Sequence, residues 1–195
     1  MSDPSFDMVA CLAGVRQRDE DAARLLFHHL YPLVIKLVRS HLPRRTSEED
    51  LAQTVFMKVF ANLQQYSGKV PLEHWVSRIA VNTCIKSLRA EKIRPELRWA
   101  DLTEEEGHVL DALASTTEEL HPDHHLASRE LAEKLLARLE PKDRTVITLL
   151  NLEGRSVDEV KQITGWNESV IKVRAFRARA KLRKIYTSLM KEKKR

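Results

Sequence analysis

Glycine, cysteine and long apolar runs are what this 195-residue chain has least of, and each shortage excludes a class of protein. The longest apolar stretches, such as Leu33-Val34-Ile35 and Val146 to Leu150, fall far short of the roughly 18 apolar residues a membrane span needs. Asp3 and Asp7 stand where a secretory signal would carry positive charge. These features predict a cytoplasmic protein without membrane insertion. The two cysteines, Cys11 and Cys84, lie far apart among apolar neighbours, which offers neither a disulfide framework nor a CxxC metal knuckle. Both are expected to be reduced core residues. The five glycines (14, 68, 107, 154 and 165) permit no GxxxxGK[ST], no GxGxxG and no GxSxG, so phosphate-cradling loops and nucleophile elbows are absent as motifs. The chain is therefore not expected to be an enzyme. No catalytic residue, cofactor or small-molecule substrate is assigned to it.

Charged residues make up 31% of the sequence, and their order along the chain says more than their net value of +5. Residues 1–100 carry +4, residues 101–126 carry eight acids and no base, and residues 127–195 carry +9. A basic C-terminal block is an electrostatic footprint for nucleic acid, whereas an acidic run without bases has the composition of a linker. Helix-favouring residues dominate the rest. The expected fold is all-α, with two small helical domains, 1–92 and 127–195, joined by a flexible acidic linker over 93–126.

Helical periodicity places Phe6, Val9, Ala10 and Ala13 on one face of a first helix, and Leu26, Leu30, Leu33, Val34, Leu37 and Val38 on a second that Pro32 should kink or interrupt. A third is expected to start at a capping box of Thr46 with Glu49 and to bury Ala52, Val55, Phe56, Val59 and Leu63. A fourth turns Leu72, Trp75, Val76, Ile79, Ala80 and Thr83 inward, with Trp75 read as core. It leaves Arg78, Asn82, Lys86 and Arg89 as a polar stripe at spacings of four, four and three. Beyond the linker, Leu131, Leu135 and Leu139 open a second set, and Pro141 begins a helix carrying Val146, Ile147, Leu149 and Leu150. A capping box at Ser156-Val157-Asp158-Glu159 starts a short helix that ends at Thr164-Gly165-Trp166, and Asn167 can cap a long last one. In the last helix Ile171, Ala175, Ala178, Leu182, Ile185 and Leu189 form a seam, and bases fill the other faces with no acid from Ser169 to Lys191. A short helix, a tight glycine turn and a long basic helix make a helix-turn-helix pattern.

Three segments resemble the extracytoplasmic-function sigma factors of bacterial RNA polymerase. Glu49-Asp50-Leu51-Ala52-Gln53-Thr54-Val55-Phe56-Met57-Lys58-Val59-Phe60 is similar to the EDLxQxVFxxxW/F segment of region two, and Trp75-Val76-Ser77-Arg78-Ile79-Ala80-Val81-Asn82 to its WLxRIAxN segment. The run from Ile171 to Arg183 is similar to VKxRxxRARxxLR of region four. Trp166-Asn167-Glu168-Ser169 departs from the family, which often has a small or proline-containing turn there. The resemblance implies a region-two helical bundle and a region-four helix-turn-helix. It also implies core RNA polymerase, promoter DNA and an anti-sigma factor as partners.

Asp50, Gln53, Met57 and Lys58, free of core duties on the third helix, would meet the polymerase. Tyr66, Arg78, Asn82, Lys86 and Arg89 would recognise and melt the minus-ten element. Asn167, Glu168, Ser169, Lys172, Arg174, Phe176, Arg177 and Arg179 would contact the minus-thirty-five element, Lys172 at a base edge and Arg177 and Arg179 at phosphates. The eight linker acids, Asp101 to Asp123, would mimic a nucleic-acid strand in the polymerase cleft. The alternative is a helix-turn-helix regulator acting outside the holoenzyme, although it has no need of the Glu49 to Phe60 and Trp75 to Asn82 segments. A metal site at His121, His124 and His125 is the other alternative; without a local cysteine or scaffold the three are read as polar linker, and no metal is expected.

Overall fold

The computed structural model describes residues 7–41, 46–90, 97–114 and 125–194. Among them every regular element is helical: α1 (Met8–Arg16), α2 (Glu20–Ser40), α3 (Glu48–Asn62), α4 (Leu72–Ala90), α5 (Glu104–Ala114), α6 (His125–Leu136), α7 (Pro141–Ile147), α8 (Val157–Thr164) and α9 (Glu168–Lys193). They form two compact units, one of α1 to α4 with α8, the other of α5, α6, α7 and α9.

In the first unit α2 is the central element. Asp19 caps it by accepting from the amides of Asp21 and Ala22, and its acidic first turn suits the positive end of the helix dipole. Of the two expected outcomes at Pro32, interruption does not occur: the helix runs through it as one element. Proline removes one backbone hydrogen bond, but Leu26, Leu30, Val34, Leu37 and Val38 are buried on either side of it and hold both halves to one core. Leu51, Val55 and Val59 of α3 and Val76, Ala80 and Cys84 of α4 complete that core. Two expected details differ. The α3 cap is Ser47, which accepts from the Asp50 amide at 3.0 Å, while the Thr46 hydroxyl reaches Ser87 on α4. On α1 the buried pair is Cys11 and Leu12, and Val9 is 78% exposed; the Cys11 thiol donates to the Ala22 carbonyl at 3.2 Å. A short weakly amphipathic helix has no strong face of its own, so its contact with α2 decides which side turns in. Phe6 lies outside the described residues.

The second unit contains the largest departure from expectation. Residues 97–114, expected to be flexible linker, are folded. Leu97, Val109 and Leu110 join Leu131 of α6 and Leu189 of α9 in one apolar cluster, with Trp99, Leu102, Ile185 and Tyr186 packed against it. The Trp99 ring lies against Gly107 so closely that a Cβ there would sit 3.2 Å from it. Three of the acids are bound into the unit. Asp101 accepts from the Arg98 amide at 2.9 Å, and Asp111 pairs with Lys193. Glu106, fully buried, accepts from the Thr103 amide at 2.8 Å and from the Lys134 ammonium at 2.6 Å. Glu104 stands in the first turn of α5. Composition alone reads this stretch as linker because five acids stand against a single base, Arg98, yet a handful of large apolar groups in register is enough to dock a three-turn helix when a partner face exists.

At the C-terminal end Pro141 opens α7, whose last turn widens into a π-helical segment over Thr148–Leu152. Ser156 and Glu159 form the expected capping box at the start of α8. Gly165, at φ +74°, turns the chain from α8 to α9 in a left-handed conformation that a side chain disfavours.

Candidate polymerase and promoter interfaces

Three surfaces collect the residues expected to be functional. The first lies between α2 and α3. Leu51, Val55 and Val59 turn inward, which leaves Asp50, Gln53 and Met57 on the outer side of α3, and Met57 is 67% exposed. Beside them opens an apolar groove of about 490 Å³ lined by Phe27, Tyr31, Ile35, Glu49, Ala52, Gln53, Phe56, Met57 and Phe60. The rings of Phe27 and Phe56 pack with centroids 4.5 Å apart and form its floor. Lys58 does not share this face. Its ammonium turns to α4 and donates to the Thr83 hydroxyl at 3.0 Å.

Lys58 thereby belongs to the second surface, a cleft of about 440 Å³ between α3 and α4, lined by Lys58, Asn62, Gln65, Trp75, Ile79, Asn82, Thr83 and Lys86. Burial, with Lys86 nearby, holds the Lys58 ammonium below the ordinary lysine value. Asn62 donates its amide to the Lys58 carbonyl at 2.7 Å, which turns its side-chain oxygen away from that bond. Trp75, read from periodicity as core, is only half-buried and presents part of its indole to the cleft. Behind it stands Tyr66, with ring centroids 5.5 Å apart. The Tyr66 hydroxyl donates to the Val70 carbonyl at 2.7 Å, and burial raises its pKa above the ordinary phenol value. Tyr66 thus closes its own loop and backs Trp75, rather than lining the cleft itself.

The polar stripe of α4 divides. Asn82 and Lys86 open into the cleft and Arg89 is exposed farther along. Arg78 packs under α8, where its Nε donates to the Gln162 carbonyl at 3.3 Å and a Cβ on Gly165 would meet it at 3.1 Å. Cleft residues Lys58, Asn62, Trp75 and Thr83 were missed as a group. They sit on two helices whose pairing no local pattern reveals, although the N-x-x-x-K spacing of Asn82 and Lys86 marks one wall.

The third surface is α9. Ile171, Ala175, Ala178 and Leu189 are buried, and Lys172, Phe176, Arg177 and Arg179 are exposed on the remaining circumference together with Ser169. Lys172 pairs with Glu168 at 2.5 Å, a hydrogen bond that raises its pKa. Arg179 donates to the Asn151 side-chain oxygen at 3.3 Å. Arg174 departs from the expected set: it is half-buried and donates to Asp143 of α7 at 2.7 Å, so it ties α9 to its own unit. Asn167 and Glu168 are exposed at the entry to the helix. Among the described residues no group of His, Cys, Asp or Glu is arranged to hold a metal ion. His121 and His124 lie outside those residues, and the His125 side chain is not among those described.

Residues 26–93 match the family described as Sigma-70 region 2, and residues 129–182 match Sigma-70, region 4. The ECF RNA polymerase sigma-E factor of Escherichia coli is 30% identical over 182 residues, covering 92% of this chain and 93% of that protein. The chain belongs to the extracytoplasmic-function sigma factors. The sigma-E factor of Haemophilus influenzae is 28% identical over 87% of this chain and 90% of its own length. The structure of CnrH in complex with the cytosolic domain of CnrY shares the fold, with a TM-score of 0.55 at 20% identity over 92% of this chain and 96% of that one. As a sigma factor, the protein directs promoter-specific transcription by RNA polymerase, which sets aside the reading as a regulator outside the holoenzyme. Both family matches stop short of the docked segment: 97–114 lies between them and the end of α9 lies beyond the second.

Proposed function

We propose that the three surfaces divide the work of initiation. The outer side of α3, with Asp50, Gln53 and Met57, binds core polymerase, and the apolar groove beside it gives that contact its hydrophobic share. The α3–α4 cleft receives an unpaired base of the minus-ten element. Trp75 supplies a stacking surface, Asn82 and Lys58 supply hydrogen bonds to a base edge, and Lys86 and Arg89 face the strand backbone. The exposed side of α9 enters the duplex at the minus-thirty-five element, with Arg177 and Arg179 on phosphates. Residues 1–92 and 127–195 act as the two promoter-binding modules. The protein works in the cytoplasm, performs no chemistry of its own, and is held by an anti-sigma factor until a signal releases it. Among the described residues no helix is long and apolar enough to cross a membrane.

The observation that carries the reading is the cleft: an indole, three side-chain amides and two ammonium groups line a space of about 440 Å³, which offers a flipped nucleobase both a stacking surface and hydrogen-bonding partners. Opening a duplex loses pairing and stacking, so the protein must hold the unpaired strand better than the duplex. The test is run-off transcription with purified core polymerase, coupled to permanganate footprinting. Asn82→Ala is expected to bind core like the parent and to lose reactive thymines near the start site. Full reactivity in Asn82→Ala and Trp75→Ala together would refute base capture in the cleft.

A further inference from the structure

In its first turns the centre line of the outward face of α9 carries two apolar side chains, Val173 and Phe176. At about 100° per residue, Val173 and Phe176 fall opposite the buried line of Ile171, Ala175 and Ala178, with Lys172 on one flank and Arg177 on the other. Val173 is 48% exposed, and Phe176, at 74%, is among the most exposed large apolar side chains described. Packing within the unit does not explain them, because neither is buried and a polar residue would serve the core equally well. Nor is the line one long basic stripe: Lys172 is paired with Glu168 and Arg174 with Asp143, which leaves Val173 and Phe176 standing forward between cations.

A helix of roughly 10–12 Å diameter fills a major groove about 12 Å wide, so its forward line meets base edges and its flanks meet the phosphate ridges. On that floor three of the four bases present only hydrogen-bond donors and acceptors beside a ring edge. Thymine alone adds an apolar group, its 5-methyl. We propose that Val173 and Phe176 read thymine through that methyl and so set part of the promoter preference, while the flanking cations supply affinity without sequence. The inference rests on the reading of α9 as the helix that enters the major groove.

The probes are duplexes selected from a randomised pool by holoenzyme built from the full chain and purified core polymerase, with each thymine of the upstream element then replaced singly by deoxyuridine, which removes only the methyl. The parent is expected to lose about fourfold in affinity at one or two thymines, the worth of one buried methyl. Val173→Ala and Phe176→Ala, both at exposed positions, should each erase the thymine-to-deoxyuridine difference at one of these while keeping the helical spectrum. Arg177→Gln should weaken thymine and deoxyuridine duplexes alike. The inference is overturned if the selected element holds no thymine, or if the parent binds both kinds of duplex equally. It is equally overturned if Val173→Ala and Phe176→Ala keep the parent's ratio, or if they fail to form holoenzyme at all, in which case the apolar line meets protein. Should Arg177→Gln also leave DNA binding untouched, the groove reading of α9 falls with it; if Arg177→Gln weakens binding, that reading stands and only methyl recognition is lost.

Discussion

Replacing Lys134 by methionine tests whether the acidic segment is a folded part of the second unit. The Glu106 carboxylate is fully buried and holds two donors, the Thr103 amide at 2.8 Å and the Lys134 ammonium at 2.6 Å. Methionine keeps most of the stem volume and removes the charge, which strands a carboxylate in a low-dielectric pocket with one neutral donor. Removing one partner of a buried pair typically destabilises by about 3–5 kcal/mol. Here Lys134 retains 24% side-chain exposure, so water reaches the pair and the expected loss is nearer 2–3 kcal/mol. In native-state hydrogen exchange that loss appears as amides of α5 exchanging about 30- to 150-fold faster, since each 1.4 kcal/mol is tenfold. Peptides from α2 to α4 should be unaffected. Adding Glu106→Gln to Lys134→Met removes the stranded charge and keeps an acceptor for the Thr103 amide, so it should restore most of the protection. Unchanged α5 exchange in Lys134→Met, or slow exchange lost in α5 of the parent itself, would show that the segment is not held by this pair and that the docking argument is wrong.

Asp50→Ala with Gln53→Ala should weaken core polymerase binding while the helical spectrum stays at the parent's value, as measured by titration of labelled core. Arg177→Gln should lower the salt dependence of DNA binding by about one unit of the log–log slope, a loss shared by all sequences. Burial pushes the Cys84 thiol up to about 12 and also raises Cys11, so neither should react with iodoacetamide at pH 8 until the chain is unfolded, a difference read by mass spectrometry. Gly165→Ala should destabilise the protein by about 1 kcal/mol or more in denaturant titrations, because it places a Cβ at φ +74° and 3.1 Å from the Arg78 guanidinium stem.

Local pattern was sufficient wherever one side chain's surroundings lie within its own helix or turn. The 3.6-residue apolar repeats located most of the helices, Ser156 with Glu159 located the start of α8, and the seam of α9 with its bases outside it could be read from spacing. The same chemistry identified Asn82 and Lys86 as free of core duties. What spacing left open depended on a partner surface. A helix with little amphipathic bias, like α1, receives its buried face from α2; an ammonium such as Lys58 chooses between two sides of α3 according to where Thr83 stands on α4. Arg78 and Arg174 look like their exposed neighbours in sequence, yet each is claimed by a group that the fold delivers from another helix, the Gln162 carbonyl and the Asp143 carboxylate. The acidic segment shows the difference most sharply, because its composition is that of a solvated linker. Only the face made jointly by α6 and the end of α9 turns Leu97, Trp99, Val109 and Leu110 into a core and Glu106 into a buried partner of Lys134, since burial is a property of two surfaces and not of one stretch of chain.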